Sequence, residues 1–446
     1  MNLGTRKFLD RLFTLSAYCA VLLMVGFLVL VIGPVFAKGI GAYIFRGTVE
    51  NRRMMLEQFG RGNSAAVLAE WAEVQRVRQP IYDAFAAFER ELEGLPPARR
   101  KELKPVFKEV CDGVTELLGP APGAPLPVLM RKVYGQTRWD RACEARSRIL
   151  FEEQWDYSGD IGTRVLAPRQ PMFEGTALAP VFTLLEHDMG KLLRPRLQFY
   201  PQFISDRSFD AHFFGGIGAE VAGTIYLALG AMLIAVPFGI VAAIYFQEYA
   251  RNGAVLSFLR TCVNTLAGVP SVVFGLFGLA FFINTLHVSQ GKSVLAGALT
   301  LALLVLPTVI RASEEAIAAV PRTYKEAALS LGAGQWRTIL TVILPAALPG
   351  ILTGTVISMG RAAGETAPII FTAAVSVGPL VGLGEVFTHP TPALSWNLYN
   401  MCTEHEAANE IRHVQYGMAL TLVMIVLALN LAAIFLRARV AKRLKG

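Results

Sequence analysis

The sequence predicts an all-α membrane protein with six transmembrane helices and a mainly helical soluble insert between the first two. Of its 446 residues, 53% are hydrophobic and 17% are charged, a composition too apolar for an ordinary soluble protein. The charged residues are concentrated in one block, whereas long runs carry almost none. This uneven distribution is typical of membrane spans joined to a soluble segment.

The first apolar run, residues 15–36, follows three basic residues, Arg6, Lys7 and Arg11. It is about 20 residues long, which is the length of a membrane span and exceeds the hydrophobic region of a signal peptide. We therefore interpret residues 1–37 as a cytoplasmic amino terminus followed by the first transmembrane helix.

Residues 38–212 form the predicted insert, where apolar residues recur every three or four positions, as on one face of a helix. The pattern is carried by Ile81, Phe85, Phe88, Leu92, Leu103, Phe107, Val110, Val114 and Leu117. Two of the five cysteines, Cys111 and Cys143, also lie here. They could form a disulfide if the insert is extracytoplasmic, and the sequence leaves this open. Because no C-x-x-C pair or His/Cys cluster occurs, no metal site is predicted.

Residues 213–436 are predicted to form a core of five further spans. The candidates are Val221–Phe246, Cys262–Ile283, Val294–Ile310, Leu348–Val375 and Tyr416–Leu436. Residues 437–446 follow as a basic tail. With the amino terminus inside, the inner segments hold fourteen lysines and arginines, whereas each short outer loop holds one.

By the positive-inside rule, this asymmetry orients the chain. We expect a multi-pass protein of the inner membrane with both termini in the cytoplasm and the insert in the periplasm. Because the excess positive charge lies beside apolar runs rather than on a soluble face, no nucleic-acid partner is predicted. The expected surroundings of the spans are membrane lipid.

The loop at residues 311–347 contains a second, local pattern. Thr323 precedes Glu326 by three residues, which predicts a capping box at a helix start. Gly332 and Gly334 then interrupt the helix, and Pro345 marks the beginning of the next span. The predicted product is a helix, a glycine turn and a second helix, a shape suited to docking into a groove on another protein.

The motif in this loop resembles the cytoplasmic coupling loop of ABC importer permeases. The matching positions are Glu326, Ala327, Ala328, Gly332, Val342, Leu344 and Pro345. Val342 departs from the isoleucine that is usual in the family. The resemblance covers roughly residues 215–436 and implies a six-helix fold of the ABC importer permease type, with these residues coupled to an ATPase. We call residues 311–347 the coupling loop.

Three flanking runs resemble the PstA family of phosphate-transport permeases more specifically. They are GVPSVVFGLFGLAFF from Gly268, LPTVIRASEEAI from Leu306 and MGRAAGETAPIIFTA from Met359. Longer members of that family carry a soluble region after the first span, as residues 38–212 do here. The resemblance implies three partners: a related PstC-like permease, a PstB-like ATPase dimer and an extracytoplasmic PstS-like phosphate-binding protein. Whether the chain also pairs with itself is left open.

Two charges, Arg361 and Glu365, lie within the predicted fifth span and are four residues apart. A charged residue at the centre of a span costs at least ~2.5–3.5 kcal/mol and is therefore a functional candidate. The two are either a structural ion pair or a site where Arg361 contacts a crossing anion. Glycine pairs at 350/354 and 360/364 are expected to let this span pack against a partner permease.

Arg311, at the inner end of the fourth span, is either an ordinary basic anchor or a second anion contact. Glu314 and Glu315, which follow it, are expected to neutralise it if it is an anchor. Ser271 and Thr366 are candidate hydroxyl contacts in the same substrate pathway.

The predicted function is a permease subunit of an ATP-driven ABC importer for inorganic phosphate. The alternatives are a permease for another oxyanion, such as sulfate or molybdate, and a membrane sensor that uses the insert. Because no nucleophile–base pair and no phosphate-binding glycine loop occurs, we predict no catalysis and no cofactor in this subunit. ATP hydrolysis is expected on the separate partner.

Overall fold

The computed structural model describes residues 3–156, 162–251 and 253–445. The chain forms two compact units. The membrane unit comprises Met1–Ile40, Gln202–Ser208 and Gly215–Gly446, and the insert unit comprises Gly41–Pro201 and Phe209–Phe214.

Helices dominate both units, and the strands are short and paired in twos. The helices are α1 Leu3–Gly39, α2 Val49–Phe59, α3 Ser64–Gly94, α4 Pro97–Leu118, α5 Met130–Tyr134, α6 Trp139–Leu150, α7 Ala179–His187, α8 Met189–Leu193, α9 Gly218–Ile244, α10 Ala254–Ala267, α11 Ser271–Gly278, α12 Val294–Ala318, α13 Arg322–Ser330, α14 Gln335–Thr338, α15 Leu344–Gly364, α16 Ala367–Thr372, α17 Leu394–Thr403 and α18 Arg412–Lys445. The strands are β1 Ile44–Gly47, β2 Phe151–Asp156, β3 Thr163–Pro168, β4 Arg196–Phe199, β5 Ser208–Phe209 and β6 Phe214–Gly215. β1 pairs antiparallel with β4, and β2 pairs antiparallel with β3.

The core of the insert unit is built from the apolar faces of α3, α4, α6 and α7. Ile81 and Phe88 of α3 are completely buried, as the helical spacing predicts. The Phe88 ring lies 4.9 Å from the Phe107 ring and 5.5 Å from the Phe173 ring, both edge to face, an arrangement that aromatic rings favour. Pro97 is the first residue of α4, where its missing N–H costs no hydrogen bond.

A buried ion pair joins several elements of this unit. Arg78 Nη1 lies 2.7 Å from Glu50 Oε1, and both side chains are fully buried. The Arg78 guanidinium also donates to the backbone oxygens of Leu192, at 3.0 and 2.6 Å, and Leu118, at 2.9 Å. Arg78 therefore fixes α3 to α2 and to the carboxyl ends of α4 and α8.

Removing one partner of this pair is expected to destabilise the insert unit strongly. Arg78→Met or Glu50→Leu alone should cost about 3–5 kcal/mol, because each leaves the other charge buried without its counter-ion. The double variant should lose much less free energy of unfolding than the sum of the losses in the two single variants. Hydrogen exchange of the α2 and α3 amides in the purified chain measures this, and strictly additive losses would contradict the account.

Cys111 and Cys143, the pair that the sequence left open, are both free thiols in the structure. Burial raises the pKa of the Cys111 thiol to about 12. Cys111 is therefore protonated at neutral pH, and only a thiolate is an effective nucleophile in disulfide formation.

The described residues contain up to six candidate membrane spans, if one bent pair of helices is counted as a single span. Among the residues described, five helical segments are long and apolar enough to cross a membrane. They are Lys7–Ala42, Gly218–Tyr249, Val294–Ala318, Gln335–Gly364 and Arg412–Arg439. The sixth consists of Ala254–Ala267 and Ser271–Thr285, which meet at a 99° bend.

The bend corrects the predicted third span. A continuous helix over Cys262–Ile283 is wrong, because the chain leaves helical geometry at Gly268–Pro270 and Pro270 precedes the first residue of α11. Proline has no N–H to donate to the preceding turn, and its ring clashes with that turn's carbonyl group. Hydropathy alone does not register such a break.

The predicted fifth span, Leu348–Val375, is also too long. α15 ends at Gly364, Glu365 has an extended backbone (φ −71°, ψ 133°), and α16 is a separate six-residue helix. Pro368 explains the end, because in a continuing helix its ring would clash with the carbonyl group of Gly364. Glu365 therefore lies just beyond the helix rather than inside it.

α12 packs against α15 through small residues. A Cβ atom added at Gly350 would lie 2.7 Å from Ala316 Cβ, and one added at Gly354 would lie 2.2 Å from Ala312 Cβ. The 350/354 pair is thus used within this chain, and its expected role against a partner permease is wrong. Glycine permits this close helix approach, as small residues commonly do in membrane proteins.

Gly354→Ala is expected to destabilise the membrane unit, whereas Gly364→Ala on the same helix is not. The new methyl group at 354 meets the Ala312 side chain, which has no rotamer to move away, and overpacking of this kind costs about 1–3 kcal/mol. Nothing lies within 4 Å of a Cβ at Gly364. Thermal unfolding of the two detergent-purified variants makes the comparison, and equal stability would contradict the packing described.

Candidate functional site

The coupling loop contains the predicted pair of helices, α13 and α14, but α13 begins differently from the prediction. Pro321 occupies the N-cap position without a side-chain hydrogen bond, and the helix starts at Arg322. The predicted capping box is therefore wrong, because Thr323 lies inside the first turn. Proline is favourable beside a helix start, since its fixed φ suits the helix and its missing N–H is not needed there.

Gly332 makes the turn between the two helices. Its φ is +81°, a left-handed conformation that glycine adopts without strain. The turn is closed by hydrogen bonds from Gly332 N to Leu329 O, at 2.9 Å, and from Ala333 N to Ala328 O, at 3.1 Å. This is the common way in which a glycine ends a helix.

The outer surface of the coupling loop is open. Glu326 and Ala327 are exposed, and Ala328 is partly buried. Leu331 is 90% exposed and Trp336 is 59% exposed, and large apolar groups in such a position are typical of a protein-binding surface. Leu344 and Pro345 are partly buried at the start of α15.

Glu248, at the end of the α9 segment, holds both helices of the coupling loop. Its carboxylate lies 2.5 Å from Lys325 Nζ of α13. Its backbone oxygen accepts a hydrogen bond of 2.7 Å from Gln335 Nε2 of α14. Sequence reasoning missed this residue, because a glutamate at the end of an apolar run also fits an ordinary solvated position.

Arg361 and Glu365 form an ion pair at the far end of α15, with 3.2 Å between Arg361 Nε and Glu365 Oε1. The Arg361 side chain is 45% exposed and that of Glu365 is 19% exposed. Arg361 shares an exposed stripe of α15 with Ile357 and Gly364. Ser395 Oγ donates a 2.9 Å hydrogen bond to the backbone oxygen of Glu365, which holds the segment after the helix in place.

The depth of Arg361 follows from the helix itself. Sixteen residues separate it from Pro345, a rise of roughly 24 Å along α15. The apolar core of a bilayer is about 30 Å thick, so a helix that entered it at Pro345 would carry Arg361 past the midpoint.

Arg311 of α12 lies in a different cluster of polar side chains, formed with α10. Its Nε donates a 3.0 Å hydrogen bond to Asn264 Oδ1. Glu314 instead pairs with Arg260 and also contacts Gln247 Nε2 at 3.3 Å. Glu314 therefore forms its ion pair with Arg260 and not with Arg311.

A cavity of about 330 Å³ is lined by these polar side chains, namely Arg311, Asn264, Arg260, Glu314 and Gln247. Asn264 and Arg260 were missed as site residues because α10 brings them to α12 only in the tertiary fold. The available signal was their spacing of four residues, which places them on one face of a helix.

The remaining candidates are Ser271, the first residue of α11, and Thr366, which directly precedes α16. These two helices pack against each other. A Cβ at Gly275 of α11 would be 3.0 Å from the Ala367 backbone oxygen and from Pro368 Cα. Ser271 is one turn before Gly275, and Thr366 directly precedes Ala367. The structure thus pairs Arg361 with Glu365, packs the helix of Ser271 against the helix that follows Thr366, and bonds Arg311 to Asn264 instead.

Comparison with known proteins connects this arrangement to a family. Residues 235–446 match the binding-protein-dependent transport system inner membrane component. A probable ABC transporter permease, YqgI of Bacillus subtilis, is 35% identical over 254 residues, which are 54% of this chain and 85% of that protein. The chain belongs to this family of ABC transporter permeases. The permease is therefore a multi-pass protein of the inner membrane, and the predicted family and fold class are confirmed.

Other relatives carry more specific names. The phosphate transport system permease protein PstA 1 of Mycobacterium tuberculosis strain H37Rv is 39% identical over 225 residues, covering 50% of the permease and 70% of that protein. The phosphate transport system permease protein PstA of Mycobacterium leprae is 36% identical over 235 residues, which are 52% of the permease and 74% of that protein. A solved structure of the MetNI methionine ABC transporter in an inward-facing conformation contains a chain that is 19% identical to the permease. The match covers 50% of the permease and 94% of that chain, with a TM-score of 0.38.

Proposed function

We propose that the chain is a permease subunit of an ABC importer for inorganic phosphate. The observation that carries this proposal is its similarity to phosphate transport permeases over more than two thirds of their length. The position of Arg361 supports it, because a guanidinium on the exposed stripe of α15 is available to a solute or partner outside the chain. A guanidinium also matches the geometry of phosphate oxygens.

In this proposal Arg361 binds phosphate transiently, and Glu365 holds Arg361 while the pathway is empty. An arriving phosphate replaces the 3.2 Å contact to Glu365 with hydrogen bonds of its own. The negative charge of Glu365 also repels the anion and keeps it from binding too tightly, because conduction requires weak sites. Ser271 and Thr366 offer hydroxyl groups near Arg361.

Arg311 is proposed as a second contact on the same route. It is exposed and anchored by Asn264, and it lies seven residues before α12 ends at Ala318, the end that leads into α13. Phosphate would therefore meet Arg361 first and Arg311 later on its way inward.

The coupling loop is proposed to seat in an ATPase dimer on the cytoplasmic side, using Glu326, Ala327, Ala328 and the apolar surface around Leu331. Motion of the ATPase would reach α15 through Leu344 and Pro345, which begin that helix. ATP binding would thus shift the population between inward- and outward-open states. We also propose that both termini face the cytoplasm and that the insert, residues 38–212, faces the periplasm, as the distribution of basic residues indicates.

The expected partners are a PstC-like permease, a PstB-like ATPase and a PstS-like binding protein. The test is uptake of labelled phosphate by cells that lack their own phosphate importer and produce the chain with these partners. Uptake that a tenfold excess of sulfate or molybdate leaves unchanged supports the proposal. Uptake of sulfate or molybdate in place of phosphate would assign the permease to another oxyanion.

A further inference from the structure

The insert unit carries an apolar face on its first pair of strands, which we call the apolar ribbon: β1 and β4. Ile44 pairs with Phe199, and Arg46 pairs with Leu197. Alternate residues of a strand point to the same face of a sheet, and directly paired residues of neighbouring strands do so too. The four side chains therefore lie on the same face of the ribbon. Leu197 is 74% exposed, Phe199 is 72% exposed and Ile44 is 45% exposed.

We propose that the apolar ribbon lies in the lipid headgroup region and anchors the insert unit to the membrane surface. Leucine, phenylalanine and isoleucine exposed together are unfavourable in water, and burying each large apolar side chain is favourable. Arg46, on the same face, suits the phosphate groups of lipids. The interface takes up such mixed apolar and basic surfaces.

Chain connectivity supports lipid as the occupant. The apolar run of α1 ends before Lys38, and the helical residues between Lys38 and Ala42 leave at most about 15 Å to Ile44. On the other strand, Gln202 of the membrane unit follows Phe199 by three residues. Because Ile44 and Phe199 are cross-strand partners, both connections leave from the same end of the ribbon.

That end is therefore tethered to the first span and to Gln202 by two short stretches of chain. The first span itself supports the same conclusion, because none of its apolar window is buried within the chain. Ile44, the first residue of the ribbon, follows that candidate span by two residues. An anchor of this kind would be independent of which solute the permease carries.

Photo-crosslinking tests the proposal directly. p-Benzoylphenylalanine is placed at position 199 in the full chain, in vesicles of phosphatidylcholine and phosphatidylglycerol, and adducts are identified by mass spectrometry. The same label at position 128 is the matched control, because Val128 is a fully exposed apolar residue of the same unit on the loop between α4 and α5.

We expect severalfold more phospholipid adduct at position 199 than at position 128. Substitution at either exposed site should leave folding intact, which size-exclusion chromatography of the labelled chain verifies. Equal phospholipid labelling at the two positions would overturn the proposal. Crosslinks from position 199 to a partner protein instead of lipid would also overturn it and would make the ribbon a protein-binding surface.

Discussion

Arg361→Gln is expected to reduce phosphate uptake by roughly 10- to 100-fold, because a charge-assisted hydrogen bond contributes about 1.5–3 kcal/mol. Glutamine is two bonds shorter than arginine, carries no charge and has only two donors in place of the guanidinium fork. Initial rates of labelled phosphate uptake in cells producing equal amounts of permease give the measurement. Arg361 is partly exposed on α15, so the change removes little packing.

Two further variants separate an anion contact from a structural ion pair. Arg361→Lys keeps the charge but loses bidentate geometry, so we expect intermediate uptake. Glu365→Gln removes the same ion pair from the other side and leaves the guanidinium in place. If Arg361 only stabilised the fold through the pair, both Gln variants would lose thermal stability and uptake equally. Normal uptake by the Arg361→Gln protein would rule out its role in the pathway.

Gly332→Val is expected to uncouple the permease from its ATPase and to lower uptake at least tenfold. The φ of +81° at this position is strongly unfavourable for a β-branched residue, so the turn between α13 and α14 must change its geometry. A left-handed conformation costs an ordinary residue roughly 1–2 kcal/mol. The helices would then leave the positions in which Glu248 holds them.

Gly334→Val is the matched control for this change. Both glycines are exposed and have nothing within 4 Å of an added Cβ, but Gly334 has an extended backbone (φ −70°, ψ 157°) that valine readily adopts. Uptake and ATPase co-purification should therefore be retained in this variant. Equal loss in both variants would indicate that added bulk, and not backbone conformation, disturbs docking.

The number of spans and the two helices of the coupling loop were predictable from the sequence, because both depend on local patterns. Long apolar runs must be helical in a membrane, since their backbone groups have no water to bond with. The motif from Glu326 to Pro345 is likewise contiguous. The bends at Pro270 and Pro368 were missed because an average over hydropathy does not respond to a single proline.

The polar contacts were not predictable, because they join residues far apart in the chain. Glu248 meets Lys325 across 77 positions, and Arg260 meets Glu314 across 54. Only the folded arrangement of α9, α10 and α12 selects these partners from the many charges available. The Arg361–Glu365 pair was found from sequence because helical spacing of four residues makes it local. The transport roles of its members stay predictions.

ATP-driven phosphate accumulation by the purified complex tests the central claim most directly. Proteoliposomes would contain this chain with its co-purified permease and ATPase partners, with the binding protein supplied on the opposite side from ATP. We predict accumulation of labelled phosphate that requires ATP and this chain, and that tenfold sulfate leaves unchanged. Accumulation that persists when this chain is omitted, or that occurs with sulfate but not phosphate, would contradict the account.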